Sequence, residues 1–155
     1  MSDLERIPEL LGTLRNCDPL EGDLQKAGFA PRASSVPGVR TDLKFRELDA
    51  SLYLPGGPLE VYLEVLQDKE PLFEDEAAYE RMLQRYHELY AEACRLVVAE
   101  LGPPAFEGGP DDPGYSDDWL GLRVSRWELG PASLRVEIRD DGPEVPSWLG
   151  LVLQP

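Results

Sequence analysis

The segment from about Asp75 to Leu101 limits the possible folds more than any other part of the chain. Tyr79, Met82, Leu83, Tyr86, Leu89, Tyr90, Ala93, Val97 and Leu101 recur along it at helical intervals, with charged residues between them. This spacing predicts a long helix with one apolar stripe. Glu74, Asp75 and Glu76 suit the positive end of the helix dipole, and Gly102-Pro103 stops the helix, since glycine takes the left-handed cap and proline cannot extend it. A stripe of that length must be buried against a broad apolar surface.

Period-two segments on both sides of the helix provide that surface. Leu59, Val61, Leu63 and Val65 alternate with Glu60, Tyr62 and Glu64, the clearest strand pattern in the chain. Before it, Leu43 and Phe45 alternate with charged neighbours, and Ala50, Leu52 and Leu54 alternate with Ser51 and Tyr53; Pro55-Gly56-Gly57-Pro58 is a turn. After the helix come three more runs: Leu120 to Leu129, Ala132 to Arg139 and Trp148 to Leu153. Gly130-Pro131 and Asp140-Asp141-Gly142-Pro143 are the turns between them. Leu122 and Val124 fall on the opposite parity to Trp127 and Leu129, which predicts a bulge near Ser125 or Arg126.

At the N-terminus, Ser2 and Glu5 have capping-box spacing ahead of Leu4, Ile7, Leu10, Leu11 and Leu14, giving a helix over about 3–15 or one that begins at Pro8. Asp18-Pro19 reads as a second start, with Leu20, Leu24 and Ala27 on one face and Gly28 as the stop. Residues 30–38 carry two prolines and no period, and form a connector.

The expected architecture is a single α+β domain with a mostly antiparallel sheet of about five to six strands. The long helix packs on one face, and a short helical segment leads the chain. The segments are 1–28 (helical), 39–66 (strands), 75–101 (long helix) and 120–153 (strands). Three strand-like runs on each side of the helix suggest a weak duplication of architecture, although the residues do not match.

Charge then narrows the function. The chain has 15 Lys+Arg against 30 Asp+Glu, a net charge of -15, yet 42% of its 155 residues are hydrophobic, which is enough apolar surface to offset chain entropy. Such a surface repels nucleic acid and anionic membrane and favours a basic protein partner. The first 20 residues are broken by Asp3, Glu5, Arg6, Glu9, Arg15 and Asp18, so no secretory or membrane segment is expected and the default location is cytoplasmic. Cys17 and Cys94 lack a CxxC or CxxH companion and read as two free, buried thiols.

No catalytic or cofactor motif is present: there is no GxSxG, P-loop or GxGxxG, and Gly56-Gly57 between prolines is a turn. The single histidine, His87, sits two turns before Cys94 on the long helix, but a nucleophilic pair needs an orienting third group and tetrahedral zinc needs two more ligands. The loop from Pro104 to Asp118 holds Glu107, Asp111, Asp112, Asp117 and Asp118 without a basic residue, in an order that does not match a calcium loop. No metal or cofactor is therefore expected.

The partner-binding candidates are Glu107, Asp111, Asp112, Asp117 and Asp118 for electrostatic steering, with Tyr115, Trp119 and Trp148 as exposed aromatic anchors. Arg123 and Arg126 on one strand and Arg135 and Arg139 on the next make a locally basic hairpin. It reads either as an anion-binding face or as a set of arginines paired with the chain's own carboxylates. The expected function is a non-enzymatic acidic protein-binding module, a bacterial immunity or inhibitor protein that neutralises a basic partner such as a toxin. The alternatives are a secretion-chaperone-like homodimer and an enzyme of unrecognised type. In each case the place to look is where the acidic loop meets the arginine strands.

Overall fold

The computed structural model describes residues 3–16, 21–67, 74–142 and 144–155, apart from the side chain of Glu21. Cys17 and the expected Asp18-Pro19 helix start lie outside these residues. A 3-10 turn, Asp3–Arg6, leads into α1 (Ile7–Leu14), with Pro8 tolerated in the first turn, where its missing N–H has no intrahelical partner to lose. Helix α2 (Glu21–Lys26) buries Leu24 and is followed by Gly28 at φ 113°.

The strands are β1 (Ala30–Pro31), β2 (Arg40–Phe45), β3 (Leu48–Tyr53), β4 (Leu59–Leu66), β5 (Phe106–Gly108), β6 (Arg123–Leu129), β7 (Ala132–Arg139) and β8 (Ser147–Gln154). Between β4 and β5 runs α3 (Glu76–Leu101), where Asp75 accepts from the Ala78 N–H at 3.2 Å and Gly102 at φ 82° ends the helix. The fold is thus α+β, with one long helix and a single antiparallel sheet. The sheet has eight strands rather than the expected five to six, because two short edge strands, β1 and β5, lie in segments with no period of their own.

The strand order is β1-β2-β3-β4-β8-β7-β6-β5. Each half of the chain is a helical segment followed by a four-stranded meander, and the two meanders join through the last strand of each, β4 beside β8. One face buries the alternating apolar residues: Leu43 and Phe45, Ala50 and Leu52, Leu59, Val61 and Leu63, then Trp127, Leu134, Val136, Ile138, Leu149, Leu151 and Leu153. Ile7, Leu10, Leu11 and Leu14 of α1 and Tyr86, Tyr90, Ala93 and Val97 of α3 close that core.

The bulge lies elsewhere than expected. β6 pairs with β7 in continuous register from Arg123↔Ile138 to Leu129↔Ala132, and the shift falls between Tyr62 and Glu64 in β4 against β8. The change of parity in β6 has another cause. Trp127 faces the helices, whereas Val124 faces the opposite side and is buried there by the incoming loop.

Candidate functional site

The face of the sheet turned away from the helices is polar and only partly covered. In the alternate positions of the same strands it carries Arg40 and Asp42 on β2, Asp49, Ser51 and Tyr53 on β3, and Glu60 and Tyr62 on β4. Trp148, Gly150, Val152 and Gln154 follow on β8, then Ser133, Arg135, Glu137 and Arg139 on β7 and Val124, Arg126 and Glu128 on β6.

The segment from Gly109 to Leu122 folds over the β5–β7 side of this face. Phe106, Tyr115 and Trp119 pack together with ring centroids 5.1–6.2 Å apart, Tyr115 donates to the Gly121 carbonyl at 2.6 Å, and Asp112 accepts from the Gly109 N–H at 2.7 Å. Gly121 lies so close to the sheet that a Cβ there would sit 2.8 Å from Val124 and 3.1 Å from Glu137. Beside this cover run two connected hollows of about 810 and 830 Å³, which share Asp118, Arg135 and Gln154 in their walls. Of the large apolar residues left exposed, Val65, Leu120 and Val145 line the 810 Å³ hollow.

The floor holds a network of charges taken largely out of water. Glu137, with 0% of its surface exposed, accepts from Arg135 Nε at 3.2 Å through one oxygen and from Arg139 Nη1 at 3.3 Å through the other. Arg139 also reaches Asp141 at 2.9 Å and Glu60 at 3.6 Å, and its guanidinium lies 5.2 Å from the centre of the Trp148 ring. Burial works against the charge of Arg139, but Asp141, Glu137 and Glu60 outweigh it and raise the pKa further.

Across β8, Tyr62 donates to Glu60 at 2.9 Å. Burial pushes Glu60 above the usual carboxylate range, even though the Tyr62 hydrogen bond and the Arg139 charge pull it down. The same burial, with the Glu60 charge next to it, drives the Tyr62 phenol far up. Further along, Asp42 takes Arg40 at 2.7 Å and the Ser51 hydroxyl at 3.1 Å.

The expected site residues divide among different surroundings. Asp111, Asp112, Asp117 and Asp118 are exposed on the covering loop, and Glu107 on β5 pairs with Arg123 at 3.4 Å. Tyr115 and Trp119 are half-buried and fasten the loop to the sheet, with Trp119 also 5.8 Å from the Arg135 guanidinium.

Trp148 is not the exposed anchor expected. It is 8% exposed, held between the Arg139 guanidinium and the edge of the Tyr62 ring at 5.1 Å. The turn before it feeds directly into β8, opposite Arg139 and Val65, so the indole lies in the groove wall and not on a loop tip.

The four arginines do not share one face: Arg126, Arg135 and Arg139 point to the polar side, whereas Arg123 points to the helix side, 5.9 Å from the Tyr90 ring. Arg126 pairs with Glu128 at 2.5 Å. His87 is exposed on α3, while Cys94 is half-buried and turned toward Ser125 at 3.5 Å. Among the described residues no group of three or more His, Cys, Asp and Glu is placed to hold a metal ion, and no helix is long and apolar enough to cross a membrane.

Glu60, Tyr62 and Glu137 were missed in the sequence. Their only signal was a polar residue of unusual size at alternate positions of strands that otherwise read as half-buried. No family model, curated protein or solved structure matches the chain.

Proposed function

We propose that this chain is a protein-binding module of the bacterial immunity or inhibitor type, and that it neutralises a basic partner by receiving it in the groove of the polar sheet face. The observation that carries this reading is the groove itself. One face of the sheet is covered by helices, while the other presents a broad hollow with a floor of paired charges and an exposed apolar rim at Val65, Leu120 and Val145.

Charge complementarity selects the partner. The net charge is -15, and the acids Asp111, Asp112, Asp117 and Asp118 stand exposed on the loop that borders the groove. They speed the approach of a basic protein, while the apolar rim and the half-buried Trp119 supply area that can be desolvated. The arginines of the face do not cancel this field, because Arg32, Arg40, Arg126 and Arg139 each hold a carboxylate of this chain within 4 Å.

The test uses matched baits from the native cell extract: the wild-type chain and Leu120→Glu, an exposed position whose change leaves the core untouched. A single basic protein retained by the wild type at low salt, released at high salt and lost from Leu120→Glu supports the reading. Retention of the same proteins by both baits, or of an acidic protein whose binding ignores salt, overturns it. A homodimer buried through the same face, seen by sedimentation, would replace it with the chaperone-like alternative.

A further inference from the structure

Arg135 differs from the other arginines of the polar face. Its side chain is 8% exposed, yet within the described residues only Nε is engaged, with Glu137 at 3.2 Å. Both oxygens of Glu137 are engaged, one by Arg135 Nε and the other by Arg139 Nη1. Arg139 spreads over Glu137, Glu60 and Asp141, whereas the two terminal nitrogens of Arg135 have no acceptor among the described residues. Arg135 lines both hollows where they meet, and the Trp119 ring lies 5.8 Å from its guanidinium. A guanidinium held through Nε and backed by an aromatic ring presents its remaining fork to one planar anion in a fixed direction.

Resting on the reading that this face binds a partner, we infer that Arg135 is the receptor for a single carboxylate of that partner, taken end-on by the two terminal nitrogens. A carboxylate fits better than a phosphate. Glu137 is already paired with Arg135, and Glu60 and Asp118 share the wall of the hollow with it, so a dianion would meet more repulsion there than a monoanion. Elsewhere the acidic surface repels an acid on the partner, so an open guanidinium inside the groove, among closed arginine–carboxylate pairs, sets the register of a basic segment carrying one acid. The carboxylate can come from a side chain or from a chain terminus, since both present the same two oxygens.

The experiment titrates the full chain with three short lysine- and leucine-containing peptides. One has an internal glutamate and an amidated end, one has a free terminal carboxylate and no glutamate, and one is amidated with neither. Inorganic phosphate and acetate are added as competing anions. Nitrogen-15 spectra follow the Arg135 Nε–H and the Trp119 indole N–H. At least one carboxylate peptide should bind about tenfold more tightly than the carboxylate-free peptide, since two charge-assisted hydrogen bonds are at stake, and should shift both signals.

Which of the two carboxylate peptides wins identifies the source. Arg135→Lys keeps the charge beside Glu137 but loses the fork, and should bring the preference close to one. Equal binding of all three peptides overturns the assignment of Arg135 while leaving the groove as a binding site. Failure of all three to bind overturns both. Phosphate displacing the peptide more effectively than acetate does overturns the choice of a carboxylate.

Discussion

Replacing Glu137 by glutamine should destabilise the chain by about 3 kcal/mol, and the structure indicates how that loss divides. Glu137 is fully buried and accepts one hydrogen bond from each of two guanidiniums, at 3.2 and 3.3 Å. A hydrogen bond to a charged group contributes about 1.5–3 kcal/mol, and removing one member of a buried ion pair costs about 3–5 kcal/mol because the remaining charge is stranded. Arg139 keeps Asp141 at 2.9 Å and Glu60 at 3.6 Å, so its share lies at the low end of that range. Arg135 keeps no carboxylate among the described residues, so most of the loss falls on it.

Urea unfolding followed by tryptophan fluorescence is the assay. With a slope of about 2 kcal/mol per molar urea, the midpoint should fall by about 1.5 M at unchanged slope. If the cost is the stranded Arg135 charge, Arg135→Met in the Glu137→Gln background should cost at least about 1 kcal/mol less than it does in the wild type. A loss below about 1 kcal/mol, or strictly additive effects of the two substitutions, would refute the stranded-charge account.

Two further predictions concern the same face. Because burial raises the Glu60 pKa in the folded chain, its contribution to stability is fully present below the ordinary carboxylate pKa and is lost as pH rises through the folded value. Glu60→Gln should remove that decline, so its urea midpoint relative to wild type should improve from mildly acidic to neutral pH; a constant difference between the two would contradict the assignment. A methyl group at Gly150 would press on the Val61 carbonyl and sit 3.0 Å from the Trp148 ring, so Gly150→Ala should cost about 2–4 kcal/mol. Gly12→Ala in α1, where a Cβ meets nothing within 4 Å, should instead stabilise by up to about 1 kcal/mol in the same thermal or urea melts, and equal effects at the two glycines would undo the steric argument.

Much of the fold was legible in the residues themselves, because each element signals itself within a few neighbours. The α3 stripe, its Asp75 start and its Gly102 stop are local chemistry, and so is the alternation of Leu59, Val61 and Leu63 with Glu60 and Tyr62. Reading parity failed where its premise failed. It assumes one buried face, and Val124 and Trp127 are buried on opposite faces, so a regular strand imitated a bulge. The two short edge strands were not legible either, since two or three residues in a loop carry no period.

Spacing and composition, which are properties of neighbouring residues, were enough to say that this chain is acidic, that its long helix needs a sheet, and which residues of the regular strands β2, β3, β4 and β7 are inward. The pairing of β4 with β8, which brings Glu60 within reach of Arg139, and the descent of the loop before β6 onto β7 at Gly121 came from the folded arrangement alone. Tertiary structure also turned the locally basic hairpin into a largely closed ion-pair network with Arg135 left open, and placed Trp148 in a wall instead of on a rim. The reason is physical: whether a charge is paired or a ring is covered depends on groups far away in the chain, and no local pattern records which strands will become neighbours.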